Sequence, residues 1–391
     1  MAVLVLLVGG WLTVAVGGAA VLRRGQPDRA LGLAPWDARA HSEAAEQALA
    51  QGGVDRPALV RAEREARAAL ARSPLMVPAW RTLGLVSAAR GRDRLAAALF
   101  STSERLSRRD LPTQLWLIEE QVRRGDVARA LEHYDVALRT SPLSFDTLLP
   151  ILVQAAGSVE TGPALGRLLQ ARPLWANNFY YRVGQSTPAD SGEVARTLEI
   201  ARRGGPISNP DALRAIVSTM VERGDYRPAL RVAAVLGGVP ARLPKGVANG
   251  GFERQPDVAP FDWMLAQGLG FGAELRGGLG EGAQALVAFT TSDANGTAAR
   301  QLLVLRPGTY RLRWRAGRTD APAPERMTWR LACAKGAAVA EAPVDLTRRG
   351  GEAAFSVPAG CAAQWLSLDI LSDSPEGSEA WVDDVAVVPA G

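Results

Sequence analysis

Gln364 to Ile370 reads Gln-Trp-Leu-Ser-Leu-Asp-Ile, an alternation that puts Leu366, Leu368 and Ile370 on one strand face and Trp365, Ser367 and Asp369 on the other. A tryptophan beside a hydroxyl and a carboxylate suits sugar recognition, because the ring stacks on apolar C–H faces and the polar groups take hydroxyls. The competing use of such a tryptophan is docking against another domain. A second alternating run, Tyr310 to Arg315, assigns Tyr310, Leu312 and Trp314 to the core and turns Arg311, Arg313 and Arg315 outward. Arg313 is taken as a further donor to a glycan. Trp263 and Trp329 lie in strand-like runs where packing accounts for them.

Other chemistry finds little support, and no catalytic residue is assigned. The two histidines, His41 and His133, are far apart and lack the i, i+4 partner or neighbouring cysteine of a transition-metal site. No glycine loop ends in Gly-Lys-Ser/Thr, and Gly268-Leu269-Gly270-Phe271-Gly272 is not followed by a helical pattern, which argues against nucleotide binding. A serine or cysteine nucleophile has no histidine in its own region and no nucleophile elbow. Paired carboxylates for glycoside hydrolysis are the remaining enzymatic alternative, since acidic residues are common enough to be compatible with it.

The elements that would position these residues divide the chain in three. Ala2 to Leu22 is an uncharged run closed by Arg23-Arg24, long enough for one bilayer crossing. An uncleaved anchor over 1–24 is expected, a cleaved signal segment being the alternative, because Val16-Gly17-Gly18-Ala19-Ala20 offers small residues to a peptidase.

From 25 to 240 the pattern is that of helix hairpins. Ser73-Pro74 recurs as Ser141-Pro142 after 68 residues, and Arg90-Gly91 as Arg124-Gly125 after 34. Arg124-Gly125-Asp126 returns as Arg223-Gly224-Asp225, with Ala-Leu following each time. Glycine ends one helix in a left-handed cap and aspartate caps the next, so the tripeptide is read as a turn and not as an adhesion motif. The 34-residue period resembles tetratricopeptide proteins, which implies a solenoid whose concave side holds protein partners. Trp80, Trp116 and the cluster Trp175 to Tyr181 are read as packing, with a partner hot spot as the alternative for the cluster.

From 246 to 391 strand-like runs alternate with Pro-Gly and Ser-Asp turns. This segment opens on Asn249-Gly250-Gly251-Phe252-Glu253 and nearly closes on Trp381-Val382-Asp383-Asp384-Val385. On these bookends it resembles the CenC-type, galactose-binding-like jelly-roll modules attached to bacterial glycoside hydrolases. The resemblance implies a β-sandwich, glycan binding, and a structural calcium held partly by Glu253 and Asp383, calcium favouring such hard oxygen ligands. Cys333 and Cys361, the only cysteines, both fall here. Confined to one β domain, they read as a disulfide in an oxidising compartment, two separate thiols being the other reading.

Composition bounds the rest. At 47% hydrophobic and 22% charged residues the chain is globular, not disordered. Residues 246–391 carry 13 basic and 17 acidic side chains, leaving 32 and 23 for everything before, so the helical part holds the net positive charge. With Lys245 and Lys335 the only lysines and no dense basic tract with aromatics, nucleic acid is not an expected partner.

The expected architecture is a multidomain α + β chain: a membrane helix, an all-α tetratricopeptide-like solenoid and an all-β jelly-roll sandwich. The expected role is non-enzymatic: a membrane adaptor with protein partners and a polysaccharide ligand, in envelope polysaccharide assembly or export. A scaffold without sugar binding and a glycosidase-like enzyme are the alternatives. Arg23-Arg24 favours a cytoplasmic body by charge. The cysteine pair and the module resemblance favour a single-pass protein of the bacterial inner membrane with its body in the periplasm.

Overall fold

The computed structural model describes residues 2–186, 190–240, 246–268, 270–280, 282–336 and 338–390, without the side chains of 2–10 and 12. The helices of the first half are α1 (Ala2–Leu22), α2 (Pro27–Leu33), α3 (Ala38–Gly52), α4 (Arg56–Arg72), α5 (Val77–Ala89), α6 (Asp93–Leu106), α7 (Leu111–Arg123) and α8 (Val127–Thr140). They are followed by α9 (Phe145–Ala156), α10 (Gly162–Gln170), α11 (Ala176–Gln185), α12 (Ser191–Arg202), α13 (Pro210–Arg223) and α14 (Tyr226–Leu236). Among the described residues no helix is long and apolar enough to cross a membrane. Most side chains of the expected anchor's N-terminal half lie outside the described residues.

The glycines of the repeat signals end their helices as expected, whereas of the two Arg-Gly-Asp aspartates only Asp126 caps the next helix through its side chain. Gly91, Gly125 and Gly224 take positive φ of 69°, 73° and 89° at the ends of their helices. Asp126 accepts a hydrogen bond from the Arg129 N–H at 3.0 Å, and Asp110 from that of Thr113 at 3.1 Å. Asp225 instead accepts from Ser191 Oγ at 2.6 Å, tying α14 to α12. The expected turn reading of Arg-Gly-Asp is thus what forms at both positions. Three aromatics of the cluster are core: Trp175, Phe179 and Tyr180 are buried, and burial pushes the Tyr180 phenol up to about 12, whereas Tyr181 is exposed. Trp116 stacks on Phe100 at 4.2 Å, and Trp80 donates its indole N–H to the Pro74 carbonyl at 2.7 Å.

Two compact units divide at Pro150, inside α9. Among its described residues Met1–Leu149 has helices joined by short links and no strand. Pro150–Gly391 holds the remaining helices together with the strands. Within that second unit Arg214 of α13 pairs with Asp257 at 2.6 Å, and Arg254 donates to the Gly238 carbonyl at 2.5 Å.

The strands are β1 (Met264–Leu265), β2 (Phe271–Gly277), β3 (Gln284–Thr290), β4 (Ala294–Leu303), β5 (Gly308–Arg318), β6 (Arg326–Cys333), β7 (Ala338–Pro343), β8 (Gly350–Val357), β9 (Gln364–Ser372) and β10 (Ser378–Pro389). They form two antiparallel sheets, ordered β1-β4-β9-β6-β7 and β2-β3-β10-β5-β8. Leu366, Leu368 and Ile370 of β9 and Leu312 and Trp314 of β5 face each other across one core, with Trp263 and Trp329 also inside it. Trp329 lies 6.0 Å from Trp263 and 6.5 Å from Trp314.

The two sequence bookends meet. The Val385 N–H donates to the Gly250 carbonyl at 2.8 Å, and a Cβ on Gly250 would stand 2.0 Å from the Val385 carbonyl oxygen, which is why glycine is required there. Buried Gln301 clamps the irregular segment entering the sandwich by bonding both the N–H and the C=O of Ala248, at 2.9 and 3.0 Å.

Candidate functional site on the outer face of a sheet

The alternation of β9 holds in three dimensions: Trp365, Ser367 and Asp369 are half-buried on the outer face, and the residues between them are buried. Because β9 is the central strand of its sheet, cross-strand neighbours on both sides complete this face. Thr297 and Thr328 stand opposite Asp369, and Arg300 and Arg330 opposite Ser367. Beyond them Glu341 of β7 stands opposite Arg330.

These side chains form one polar network. Arg330 reaches Asp369 at 3.0 Å and Glu341 at 3.3 Å, so a single guanidinium holds two carboxylates. Thr297 Oγ1 donates to Asp369 Oδ1 at 2.6 Å, and Ser367 Oγ donates to the Arg330 carbonyl at 3.4 Å. A groove of about 560 Å³ runs over this network, lined by Thr297, Thr328, Arg330, Glu341, Pro343 and Asp369. Trp365 lies two strand positions beyond Ser367 on the same face. The Arg300 guanidinium sits over its ring, 4.7 Å from the ring centroid. Hydroxyls, carboxylates and guanidinia beside an aromatic platform supply both donors and acceptors to a polyhydroxylated ligand.

Arg313 does not belong to this face. It lies on β5, in the other sheet, with its side chain directed away from the core, so the full thickness of the sandwich separates it from Trp365. There it pairs with Glu352 at 3.4 Å and lines a second groove, of about 870 Å³, with Arg315, Arg348, Arg349 and Asp384. Both alternations were legible in the sequence, but alternation does not say which sheet a strand joins. Arg300, Arg330, Thr297, Thr328 and Glu341 escaped the sequence reading for the same reason. On β4 a bulge between Thr297 and Ala299 is what brings Thr297 and Arg300, three positions apart, onto one face, and only the pairing of β4 and β6 with β9 brings the set together.

The residues expected to hold calcium converge on the β2–β3 loop. Glu253 accepts from the Ala283 N–H at 3.0 Å and fills the place a Cβ on Gly282 would take. Buried Asp383 accepts from the Asp384 N–H at 2.7 Å, and its other oxygen lies 2.4 Å from where a Cβ on Gly280 would stand. Two hard-oxygen side chains on one glycine-rich loop fit the donor chemistry of calcium. Among the described residues no group of three or more His, Cys, Asp or Glu is gathered around a metal position. Cys333 and Cys361 form a disulfide, with Cα atoms 5.4 Å apart, joining the end of β6 to the loop before β9.

Neither a protein-family profile nor a curated protein matches the chain. Solved structures do. A carbohydrate-binding module of family 61, solved with beta-1,4-galactotriose, is similar at 13% identity over 37% of this chain and 98% of that one, with a TM-score of 0.29. The N-terminal cellulose-binding domain of Cellulomonas fimi beta-1,4-glucanase C is similar at 16% identity over 34% and 91%, with a TM-score of 0.22. The tetratricopeptide-repeat domain of P58(IPK) is similar at 17% identity over 51% of this chain and 59% of that one, with a TM-score of 0.24.

Proposed function

We propose that this protein is a membrane-anchored envelope adaptor whose sandwich binds a glycan on the outer face of the β1-β4-β9-β6-β7 sheet and whose helical repeats bind protein partners. Polysaccharide assembly or export is the setting that suits this pairing of modules. The carrying observation is the half-buried Trp365 on the same strand face as a groove that it does not itself line, whose donors and acceptors are held by Arg330 and Thr297. Preorganised polar groups bind with less ordering cost than free side chains. The body is assigned to the periplasmic face of the inner membrane, in line with a disulfide inside the sandwich. The anchor reading is supported by the uncharged run Ala2 to Leu22 and by the exposed Trp11, Val14, Val16 and Val21 on α1.

Binding of soluble polysaccharides to the full chain, measured by affinity electrophoresis and calorimetry, tests the site. Trp365→Ala is expected to weaken retention at least about tenfold, roughly 1.4 kcal/mol, since a stacked aromatic side chain is worth that much or more. The melting temperature should stay put, because Trp365 lies outside the core. Retention equal to the parent protein would remove the glycan reading and leave a scaffold without sugar binding. That second reading has one observation of its own: Arg300 covers a face of the ring where a sugar would stack. The glycosidase alternative requires turnover of an aryl glycoside that disappears in Asp369→Asn.

Calcium is proposed as a structural ion held by Glu253 and Asp383, bracing the opening turn and the closing strand against the β2–β3 loop. After removal of divalent ions, adding calcium to 100 times its Kd should stabilise the fold by about 2.7 kcal/mol. An identical melting curve with chelator and with calcium would exclude it.

A further inference from the structure

We infer that the sandwich carries a second glycan-binding face, on the outside of the β2-β3-β10-β5-β8 sheet, and that its ligand is a neutral polysaccharide. The central strand of that sheet is β10. Its Ala380 and Val382 lie in the core, so Glu379 and Trp381 point outward, both half-buried. On β3, Leu286 and Ala288 lie in the core and Phe289 is turned outward, half-buried as well. On β2, Ala273 lies in the core, and Gly272, Glu274 and Arg276 face out.

Two rings on this face lie where glycine leaves room for them. Trp381 stands opposite Gly317 of β5, and a Cβ on Gly317 would come within 2.5 Å of the indole. The indole N–H donates to the Arg318 carbonyl at 3.1 Å, which fixes the ring across the neighbouring strand. Phe289 stands opposite Gly272 of β2, where a Cβ would come within 2.8 Å of the phenyl ring. Both rings therefore lie over backbone, the placement on which a sugar ring can stack. Phe289 pairs with Glu379, two positions from Trp381, so the two aromatics are diagonal neighbours about 7–8 Å apart at the backbone.

Fixed polar groups flank the rings. Arg276 donates to Glu379 at 2.8 and 3.0 Å and to Glu274 at 2.7 and 3.1 Å. The Arg276 guanidinium, together with the Thr319 hydroxyl, holds the Glu379 carboxyl below the usual carboxylate range. Arg330 and Thr297 do the same for the carboxylates around Asp369 on the first face, where one guanidinium also holds two acids near a tryptophan of the central strand. A groove of about 290 Å³ passes over Glu274, Arg276, Phe289, Ser378 and Glu379. The outward arginines of these strands, Arg276, Arg311, Arg313 and Arg315, each pair with a carboxylate. No guanidinium is left over for an acidic sugar, whereas the fixed carboxylates can accept hydroxyls of a neutral one.

The two faces share no residue and are tested separately in the full chain, by affinity electrophoresis through gels holding hydroxyethylcellulose, xyloglucan or galactomannan. Trp365→Ala removes the platform of the first face and serves as background. The expected result is residual retention by at least one of the three polymers, which Trp381→Ala lowers at least about tenfold. Because Trp381 also packs on Gly317, a second variant is needed away from the ring. Glu274→Gln, at an exposed position, should lower the residual retention roughly threefold with the melting temperature unchanged. The parent chain, holding two polymers at once, should raise light scattering of hydroxyethylcellulose, and either tryptophan variant alone should abolish the rise. Absence of retention in the Trp365→Ala chain would overturn the second face: with the parent retained the first face stands, and with the parent also free both are removed. Residual retention that neither Trp381→Ala nor Glu274→Gln changes would overturn it too. Retention of the Trp365→Ala chain by polygalacturonate and by none of the neutral polymers would overturn the neutral ligand.

Discussion

Arg254→Ala is expected to lower the unfolding free energy of the sandwich-containing unit by about 3 kcal/mol or more, the lower end of the range for stranding one member of a buried ion pair. Asp262 has no exposed surface, and Arg254 Nη1 lies 2.5 Å from its Oδ2. The remaining support for the carboxylate is the Trp263 N–H, donating at 2.9 Å, and a longer bond from the Asp257 N–H at 3.4 Å. These do not replace a full positive charge. Arg254 itself is 36% exposed, so water relieves part of its own loss, which is why the lower end of the range applies. The same substitution severs the bond to the Gly238 carbonyl, a tie between the segment after the last helix and the sandwich. Urea unfolding followed by tryptophan emission would report the change, since Trp263, Trp314 and Trp329 share the core. Asp262→Asn in the Arg254→Ala background should recover much of the loss, because it removes the stranded charge and keeps the shape. An unfolding midpoint for Arg254→Ala equal to that of the parent would mean that the pair carries no net stability.

That ion pair was not legible in the sequence, and the reason is instructive. Arg254 and Asp262 lie in a segment without periodicity, and nothing in an irregular loop announces which of its charges will be buried. Where local physics dominates, the sequence spoke clearly. The alternation of β9 sorted Trp365, Ser367 and Asp369 from the buried leucines, and the Gly-Asp spacing located the turns at 125 and 224. The bookend motifs even met in space, through Val385 and Gly250. What failed was the step from strand to sheet. Arg313 and Trp365 have equally clean outward positions, yet β5 pairs with β8 and β10 while β9 pairs with β4 and β6, so the two residues share no surface. Strand pairing is decided by long-range packing of the whole core, and no window of a few residues contains that information.

The second large effect concerns the disulfide. Replacing Cys333 and Cys361 together by serine should cost about 3.6 kcal/mol at 25 °C, the chain-entropy value for a closed loop of the size given by their separation of 28 residues. Two terms could alter this figure. Cys361 is buried and lies beside Gln364, whose side chain donates to the Cys361 carbonyl at 2.8 Å, so a serine hydroxyl there adds a polar group to an already satisfied site. The bond also pins the loop before β9 to the end of β6, and β9 carries Trp365 at its second position. Reduction should therefore reach the glycan face as well as the stability. For a unit of this size the free-energy loss corresponds to a fall in melting temperature of roughly 10 °C. Scanning the protein with and without a reducing agent, alongside the double variant, separates the contributions: the reduced parent and the double variant should melt together. Trapping of free thiols in intact cells then bears on location, because a bond that persists there requires an oxidising compartment, whereas thiols that react only after lysis would place the body in the cytoplasm.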